Sequence, residues 1–268
     1  MRNICIYGAG HLTKSLLKGI EFANIRYPIF LYNRTIERAY KLKEEFHRIN
    51  TVECENDLIQ DNSFVFIIIP PSEVLGLPNH FTDKIRRTNS ILISCANYVT
   101  LSNLSIQYPD IKIIRILPNV LWQIGCGTTL YLLNDKVDSN EKELFVKLLA
   151  EIGEIVEVQN EDDFDRFGKI TTSGPGVFSK LTDLFLNELD ERSEIEREIV
   201  IKTFLSTLNY AIKSKKDFSE IIKEVANKGG LTECAVNELN NQLTGKFDKV
   251  FAAMDRKIIE KRQQIEKQ

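Results

Sequence analysis

The sequence predicts an α/β fold in which a doubly wound parallel sheet is followed by an all-helical region. Short apolar segments alternate with amphipathic helical segments over the first 160 residues, which predicts the sheet. Residues 64–69 are apolar at every position, as expected of a central strand that is buried on both faces. No strand pattern follows Asn160, which predicts the helical region. We therefore expect two domains, residues 1–160 and residues 161–268.

The same alternation predicts the individual elements. We expect strands at residues 4–7, 29–32, 64–69, 91–93 and 111–117, and edge strands at 128–133 and 155–158. We expect helices up to residue 22, at 36–46 and at 141–152 in the first domain, and at 178–189, 195–212, 218–226 and 231–261 in the second. Glu161 and the two aspartates that follow it are expected to form a solvated entry to the second domain.

Composition and charge exclude several classes of protein. Apolar residues make up 43% of the chain and charged residues 27%, which is typical of a globular protein. Lys and Arg total 35 against 38 for Asp and Glu, and the net charge of −3 argues against nucleic-acid binding. The five cysteines form no CxxC pair, so the sequence indicates no metal site. Because no apolar run approaches the ~18 residues of a membrane span and no signal peptide is evident, we expect a cytoplasmic protein without a membrane partner.

A glycine-rich turn follows the first predicted strand and opens the first predicted helix. Gly8 permits a tight turn, and Gly10 lets a pyrophosphate approach the backbone at the helix N-terminus. Thr13 stands where the third glycine of this pattern is usual, and we expect the helix to pack slightly further from the strand. The context predicts a Rossmann domain in which Gly8, Gly10, His11 and Leu12 bind a dinucleotide, with a purely structural turn as the alternative.

The end of the second predicted strand indicates which nicotinamide cofactor is bound. The segment Asn33-Arg34-Thr35 contains no carboxylate for a ribose 2′-hydroxyl, whereas Arg34 can pair with a 2′-phosphate. We therefore predict NADP(H), with NAD(H) as the alternative cofactor, and assign cofactor contacts to all three residues. The alternative role for Arg34 is that of a solvated residue that caps the next helix.

Five further motifs occur along the chain in a fixed order. They are IPPS at residues 69–72, RILPN at 115–119, GCG at 125–127, TTSGPG at 171–176 and KGGLT at 228–232. With the glycine turn and the Asn-Arg-Thr segment, they resemble the motifs of the pyrroline-5-carboxylate reductase family along essentially the whole chain. The segment NRTIERAY at residues 33–40 and the Lys-Gly-Gly turn also resemble a divergent branch of that family found among late-competence proteins.

The resemblance implies a function in proline biosynthesis. A Rossmann domain and a helical domain that interleaves with a second subunit would form a homodimer or a larger homo-oligomer. Hydride transfer from NADPH to the C=N carbon of pyrroline-5-carboxylate, a small imino acid, would give proline. Cofactor contacts would extend to Pro70, Pro71, Ala96 and Asn97. Substrate contacts would come from Asn119, Ser173, Gly229, Gly230, Leu231 and Thr232.

Thr232 is the catalytic candidate, because it matches the threonine whose hydroxyl faces the ring nitrogen in this family. Its alternative role is to cap the helix that follows. The amides of residues 229–231 lie at a predicted helix N-terminus, where they would bind the substrate carboxylate.

The substrate region departs from the family pattern. Leu231 replaces a small residue, Lys228 replaces a proline, Asn227 stands where a serine is common, and Trp122 places an indole near the substrate loop. Two alternative functions therefore remain: a catalytically weak or inactive NADP(H)-binding regulatory protein, and a reductase for a different small imino or hydroxy acid. A β-hydroxyacid reductase would need a catalytic lysine, for which Lys180 is the candidate.

Apolar residues occupy more than one face of the predicted helices in the second domain. Phe204, Leu205 and Leu208 are examples on the helix predicted at 195–212. A helix that is apolar over so much of its circumference is buried, either within its domain or against another chain.

Overall fold

A computed structural model describes residues 2–189 and 193–267 of the chain, without the side chain of Glu266. Met1 and Gln268, the outer ends of the two predicted domains, lie outside the described residues. The strands are β1 (Ile4–Tyr7), β2 (Ile29–Tyr32), β3 (Ile49–Thr51), β4 (Phe64–Ile67), β5 (Ile91–Ser94), β6 (Lys112–Leu117), β7 (Thr128–Leu133) and β8 (Glu154–Glu157).

Thirteen α-helices are described in the same residues. They are α1 (His11–Phe22), α2 (Ile36–Glu45), α3 (Glu55–Leu58), α4 (Pro71–Val74), α5 (Asn79–Arg87), α6 (Leu101–Gln107), α7 (Ser139–Ala150), α8 (Glu161–Thr171), α9 (Gly174–Asn187), α10 (Glu194–Ser214), α11 (Phe218–Val225), α12 (Leu231–Leu243) and α13 (Lys246–Glu266). A 3₁₀-helix, Val120–Ile124, lies between β6 and β7.

The strands form one sheet in the order β3-β2-β1-β4-β5-β6-β7-β8. The first six strands run parallel, in the doubly wound order 3-2-1-4-5-6, and the predicted fold class is confirmed. Strand β7 is antiparallel to β6 and parallel to β8. Because β7 is hydrogen-bonded on both sides, the prediction that it is an edge strand is wrong; β8 is the edge.

Strand β4 lies at the centre of the core because its side chains are apolar on both faces. Phe64 and Phe66 pack with one cluster of buried residues, and Val65 and Ile67 pack with a cluster on the opposite face. All four side chains are at most 1% exposed. Burying one such side chain contributes about 1.5–3 kcal/mol to folding.

Trp122 belongs to this core rather than to a substrate loop, which corrects the expectation from the sequence. Its side chain is fully buried, and its indole N–H donates a hydrogen bond to the Thr129 hydroxyl at 2.8 Å. A Cβ atom on Gly19 of α1 would come within 2.6 Å of the Trp122 carbonyl oxygen. The backbone of the 3₁₀-helix therefore lies close against α1, and the indole belongs to the buried cluster that includes residues of α1.

Two compact units divide the chain. The first consists of residues 1–173 with 258–268, and the second of residues 174–257. The division lies after Ser173 rather than after residue 160, because α8 packs in the first unit. Phe164 of α8 is 1% exposed and belongs to a buried cluster with Leu117 and Leu130.

In the described residues of the second unit, the regular elements are all helices, joined by turns. The segment predicted as one helix at 231–261 is two helices, because the chain turns at Gly245, where φ is +70°. Many large apolar side chains of this unit are exposed in the single chain, including Phe178, Ile195, Leu205, Leu208 and Ile212. Within the described residues, we find no helix with the length and apolar character needed to cross a membrane.

Candidate functional site

The turn between β1 and α1 has the geometry of a nucleotide-binding loop. Gly8 has φ = +118°, and a Cβ atom at this position would lie 2.0 Å from the Ile68 carbonyl oxygen. Its amide donates a hydrogen bond to the Tyr32 carbonyl at 2.8 Å, which ties the turn to the end of β2. The buried Thr13 hydroxyl donates to the Gly8 carbonyl at 2.6 Å. Thr13 therefore closes the turn from the helix side, and only glycine fits at position 8.

The N-terminus of α1 is open. Gly10 is the N-cap residue and supplies no side-chain cap, and the first turn of α1 contains no acidic residue. A Cβ atom on Gly10 would meet no atom within 4 Å. His11 is exposed and Leu12 is half-buried. A pyrophosphate therefore fits here, where free amide N–H groups and the positive end of the helix dipole face open space.

Asn33 connects the glycine turn to the loop after β2. Its side-chain oxygen accepts a hydrogen bond from the Ala9 amide at 2.9 Å, and its side-chain nitrogen donates to the Thr35 carbonyl at 2.7 Å. Asn33 thus orients both loops. Arg34 is 80% exposed, and its Nη1 atom lies 3.5 Å from Oε2 of Glu73 in α4. Because the side chain is so exposed, the guanidinium can turn towards a phosphate when it leaves Glu73.

A basic cleft beside the glycine turn was missed in the sequence analysis. It has a volume of about 420 Å³ and is lined by Ala9, Gly10, His11, Lys14, Arg38, Lys41, Leu42 and Glu45. Arg38 lies in the first turn of α2, and its position just after the predicted cofactor segment Asn33-Arg34-Thr35 was the available signal. The cleft offers three cations, partly neutralised by the Lys14–Glu45 ion pair at 2.6 Å.

The ends of β4 and β5 place further predicted residues at the same edge of the sheet. Because β1, β2, β4 and β5 are parallel, their carboxyl ends meet there. Pro70 is exposed after β4, and Pro71 is the first residue of α4. After β5, Ala96 is buried, and the side-chain oxygen of Asn97 accepts a hydrogen bond from the Tyr98 amide at 3.0 Å.

Two titratable side chains near this edge stay neutral at pH 7. Burial, with the nearby Glu55 carboxylate, raises the pKa of Tyr7, whose hydroxyl donates to Glu55 at 3.1 Å. Burial also raises the pKa of the Cys95 thiol. Neither group offers a base or a nucleophile, and no cluster of potential metal ligands occurs among the residues that the structure describes. This edge is suited to holding a cofactor rather than to acid–base chemistry of its own.

Asn119 is committed to internal hydrogen bonds. Its side-chain nitrogen donates to the carbonyls of Thr128 at 3.3 Å and Thr171 at 3.1 Å, and its oxygen accepts from the Leu121 amide at 2.9 Å. Both N–H groups are used, and the residue is 5% exposed. The geometry favours a role in holding β7 and α8 in place. Ser173, in contrast, is exposed at the end of the first unit.

Amides of the Gly-Gly turn in the second unit already donate hydrogen bonds within the chain. Gly229 has φ = +76°, and its amide donates to Oε2 of Glu233 at 2.7 Å. The Gly230 amide donates to the Asn227 carbonyl at 2.9 Å. Two of the three amides predicted to bind a carboxylate therefore have internal partners. The signal for this was Glu233 in the first turn of α12, where an acidic side chain satisfies free amides.

The remaining predicted residues of this turn are accessible. Leu231 is 88% exposed, and Thr232, the second residue of α12, is also exposed. The predicted cofactor residues lie in the first unit, and the Gly-Gly turn lies in the second.

Comparison with known proteins shows similarity to oxidoreductases. A family model described as "NADP oxidoreductase coenzyme F420-dependent" matches residues 3–98. A pyrroline-5-carboxylate reductase of Staphylococcus aureus is 25% identical over 266 residues, covering 95% of this chain and 96% of that protein. The reductase of Staphylococcus epidermidis is also 25% identical, over 88% of this chain and 89% of the relative. The chain resembles the pyrroline-5-carboxylate reductases over nearly its whole length.

A solved reductase extends this likeness to the fold. The Plasmodium falciparum pyrroline carboxylate reductase with NADP bound matches at a TM-score of 0.82 and 20% identity, covering 99% of both chains. This likeness confirms the fold predicted from the sequence. That structure holds NADP, and the description of the family model also names NADP.

Proposed function

We propose that this chain is an NADPH-dependent reductase that converts pyrroline-5-carboxylate to proline. The main support for the proposal is the open glycine turn with the uncapped N-terminus of α1. It occurs in a chain that resembles the reductases over 95% of its length. Arg34, at the end of β2, adds a cation suited to the 2′-phosphate. The protein would act in the cytoplasm.

The residues at the sheet edge bind and orient the cofactor in this proposal. The amides at the N-terminus of α1 hold the pyrophosphate, and Arg34 and Arg38 bind the 2′-phosphate. Bound NADPH supplies the hydride that adds to the imine carbon. Further cofactor contacts are assigned to His11, Leu12, Asn33, Thr35, Pro70, Pro71, Ala96 and Asn97.

The chain must also complete the reduction with a proton on the ring nitrogen. Thr232 is the proposed donor of a hydrogen bond to that nitrogen, and it relays the proton from water as the hydride adds to carbon. The Leu231 amide at the start of α12 is proposed to bind the substrate carboxylate, joined by Gly229 and Gly230 when their internal partners are displaced. Ser173 is a proposed substrate contact, and Asn119 is proposed to position its loop.

Replacing Thr232 tests the reaction directly. We expect Thr232→Ala to lower turnover at least ~10-fold, because a positioned proton donor contributes that much or more. Thr232→Ser retains the hydroxyl, and we expect it to stay within about threefold of the unmodified protein. The measurement is NADPH oxidation with racemic pyrroline-5-carboxylate, with proline quantified as the product. Equal turnover of the alanine and serine variants would remove Thr232 from the mechanism.

One observation favours a second candidate function, that of a regulatory protein that binds NADP(H) without reducing imino acids. The Glu233 carboxylate accepts a hydrogen bond from the Gly229 amide, which is one of the groups proposed to bind the substrate carboxylate. The assay of the unmodified protein separates the two functions, because binding of NADPH without proline formation would favour regulation.

The β-hydroxyacid alternative has less support, since Lys180 is 64% exposed and pairs with Asp183 on the surface of α9.

A homodimer or larger homo-oligomer is the proposed assembly. The exposed apolar side chains of the second unit include Ile195, which is 71% exposed, and Ile212, which is 73% exposed. Exposed apolar area of this kind is typical of a surface that a second chain covers. We expect sedimentation velocity at micromolar concentration to show a dimer or a larger species; a monomer would contradict the proposal.

A further inference from the structure

An ion pair spans the proposed binding site for the 2′-phosphate. Arg34 lies in the loop after β2, and Glu73 lies in α4, directly after β4. The Nη1 atom of Arg34 is 3.5 Å from Oε2 of Glu73. The two side chains are 80% and 42% exposed, so each can move without disturbing the core.

Glu73 differs in its partners from a second carboxylate at the same edge. Glu55 accepts a hydrogen bond from the Tyr7 hydroxyl at 3.1 Å, and its other oxygen lies 2.6 Å from Nε2 of His80. Only 17% of the Glu55 side chain is exposed. Glu55 is therefore held by its own neighbours, and the described partner of Glu73 is the Arg34 guanidinium.

We propose that Glu73 lowers the preference of this protein for NADPH over NADH by competing with the 2′-phosphate for Arg34. The proposal rests on the proposed function, since it concerns the same cofactor site. A phosphate monoester carries nearly two negative charges at neutral pH, so it must displace the Glu73 carboxylate from Arg34 and is repelled by it. NADH carries no 2′-phosphate and meets neither effect. Glu73 thus narrows the preference for NADPH over NADH that Arg34 creates.

Removing the charge of Glu73 should tighten NADPH binding selectively. Exposed ion pairs are weak, so we expect Glu73→Gln to lower the dissociation constant of NADPH by about fivefold. The dissociation constant of NADH should change by less than about twofold, because the competing interaction involves the 2′-phosphate alone. Glu44→Gln is the matched control, since Glu44 is an exposed carboxylate on α2 and its removal changes the net charge equally.

Direct binding measurements test the proposal without relying on turnover. The probes are NADPH and NADH, followed by fluorescence, and 2′,5′-ADP and 5′-AMP, followed by calorimetry. The second pair differs only in the 2′-phosphate, so Glu73→Gln should tighten 2′,5′-ADP and leave 5′-AMP unchanged. In an Arg34→Gln background, the same substitution should tighten 2′,5′-ADP clearly less, because the pair is already absent and only the repulsion by Glu73 is relieved.

The outcomes separate this inference from the proposed function. Equal tightening of 2′,5′-ADP by Glu73→Gln with and without Arg34 would overturn the competition for Arg34. An unchanged affinity of Glu73→Gln for NADPH, in a protein that still binds NADPH and makes proline, would also overturn it and leave the reductase proposal intact. Failure of the unmodified protein to bind either NADPH or 2′,5′-ADP would contradict both.

Discussion

Gly8→Ala should destabilise the protein by about 3–5 kcal/mol, because the substitution combines backbone strain with a steric clash. The φ of +118° at Gly8 lies outside the region that a residue with a Cβ atom adopts readily. The added methyl group would lie 2.0 Å from the carbonyl oxygen of Ile68, a backbone atom anchored beside β4 by the Ile68 amide, which donates to the Tyr7 carbonyl at 2.8 Å. Neither side of this contact can move away without breaking sheet hydrogen bonds.

Gly10→Ala is the matched variant, and we expect it to reduce stability only slightly but NADPH affinity strongly. Gly10 has φ = −99°, and a Cβ atom there meets no atom within 4 Å. Alanine is a somewhat poorer N-cap residue than glycine, so the loss of stability should not exceed about 1 kcal/mol. The methyl group would instead occupy the space that a pyrophosphate needs, and NADPH affinity should fall at least ~10-fold.

Denaturant unfolding and NADPH fluorescence measure the two effects on the same samples. Gly8→Ala should mainly lower the free energy of unfolding, whereas Gly10→Ala should mainly lower the affinity for NADPH. A Gly10→Ala protein that binds NADPH as tightly as the unmodified protein would contradict the assignment of the pyrophosphate site to this turn.

Most of the sheet could be predicted from the sequence because its strands are apolar and end at clear breakers. The 64–69 segment, stopped by Pro70, is one such case, and the structure places β4 within it. Strand β3, Ile49–Thr51, gave no such signal, because it has three residues and only one is apolar. Strand β7 was predicted, but its position inside the sheet was not, since pairing partners are a tertiary property.

The candidate site was predictable where a residue type carries its own chemistry. Gly8 and Arg34 are examples, because backbone freedom and a fixed positive charge are properties of the residue itself. The partners of those residues were not predictable. Nothing in the local sequence places Glu73 beside Arg34 or joins Asn33 to the Ala9 amide, because each contact crosses from one βα unit to another.

The RILPN motif contains the second residue for which we expect a large effect. Arg115 lies in β6, and its side chain is fully buried. Its Nε atom donates to the Val99 carbonyl at 2.6 Å, and its Nη1 atom lies 2.8 Å from Oε2 of Glu161. The guanidinium stacks over the Phe164 ring at 3.7 Å. Burial lowers the pKa of Arg115 to about 10, which still leaves the side chain charged at neutral pH.

Glu161 connects this buried charge to two other parts of the first unit. Its second oxygen accepts a hydrogen bond from the Leu101 amide at the start of α6, at 2.7 Å. Arg262 of α13 lies 3.6 Å from Glu161 and pairs with Asp165 at 2.8 Å. The expectation that Glu161 is merely a solvated residue at a domain entry is therefore wrong, because its carboxylate is the partner of a buried cation.

Arg115→Met should destabilise the protein by about 3–5 kcal/mol, because breaking a buried pair leaves the other polar groups without their partner. The Val99 carbonyl loses a donor, and Glu161 loses its closest cation. Arg166→Met is the control. Arg166 also pairs with an acidic residue, Asp163, at 2.7 Å, but it is 64% exposed, and its loss should cost less than about 1 kcal/mol.

The double variant Arg115→Met with Glu161→Gln separates the ion pair from simple loss of packing. If the pair carries the effect, the double variant should be destabilised by clearly less than the sum of the two single variants in denaturant unfolding. Strict additivity would show that Arg115 acts through its stacking on Phe164 and its bond to Val99 alone. If Arg115→Met lowers the free energy of unfolding by no more than Arg166→Met does, the buried charge has no structural role. The presence of Arg115 in a motif that resembles one of the reductases would then have to be explained by the reaction.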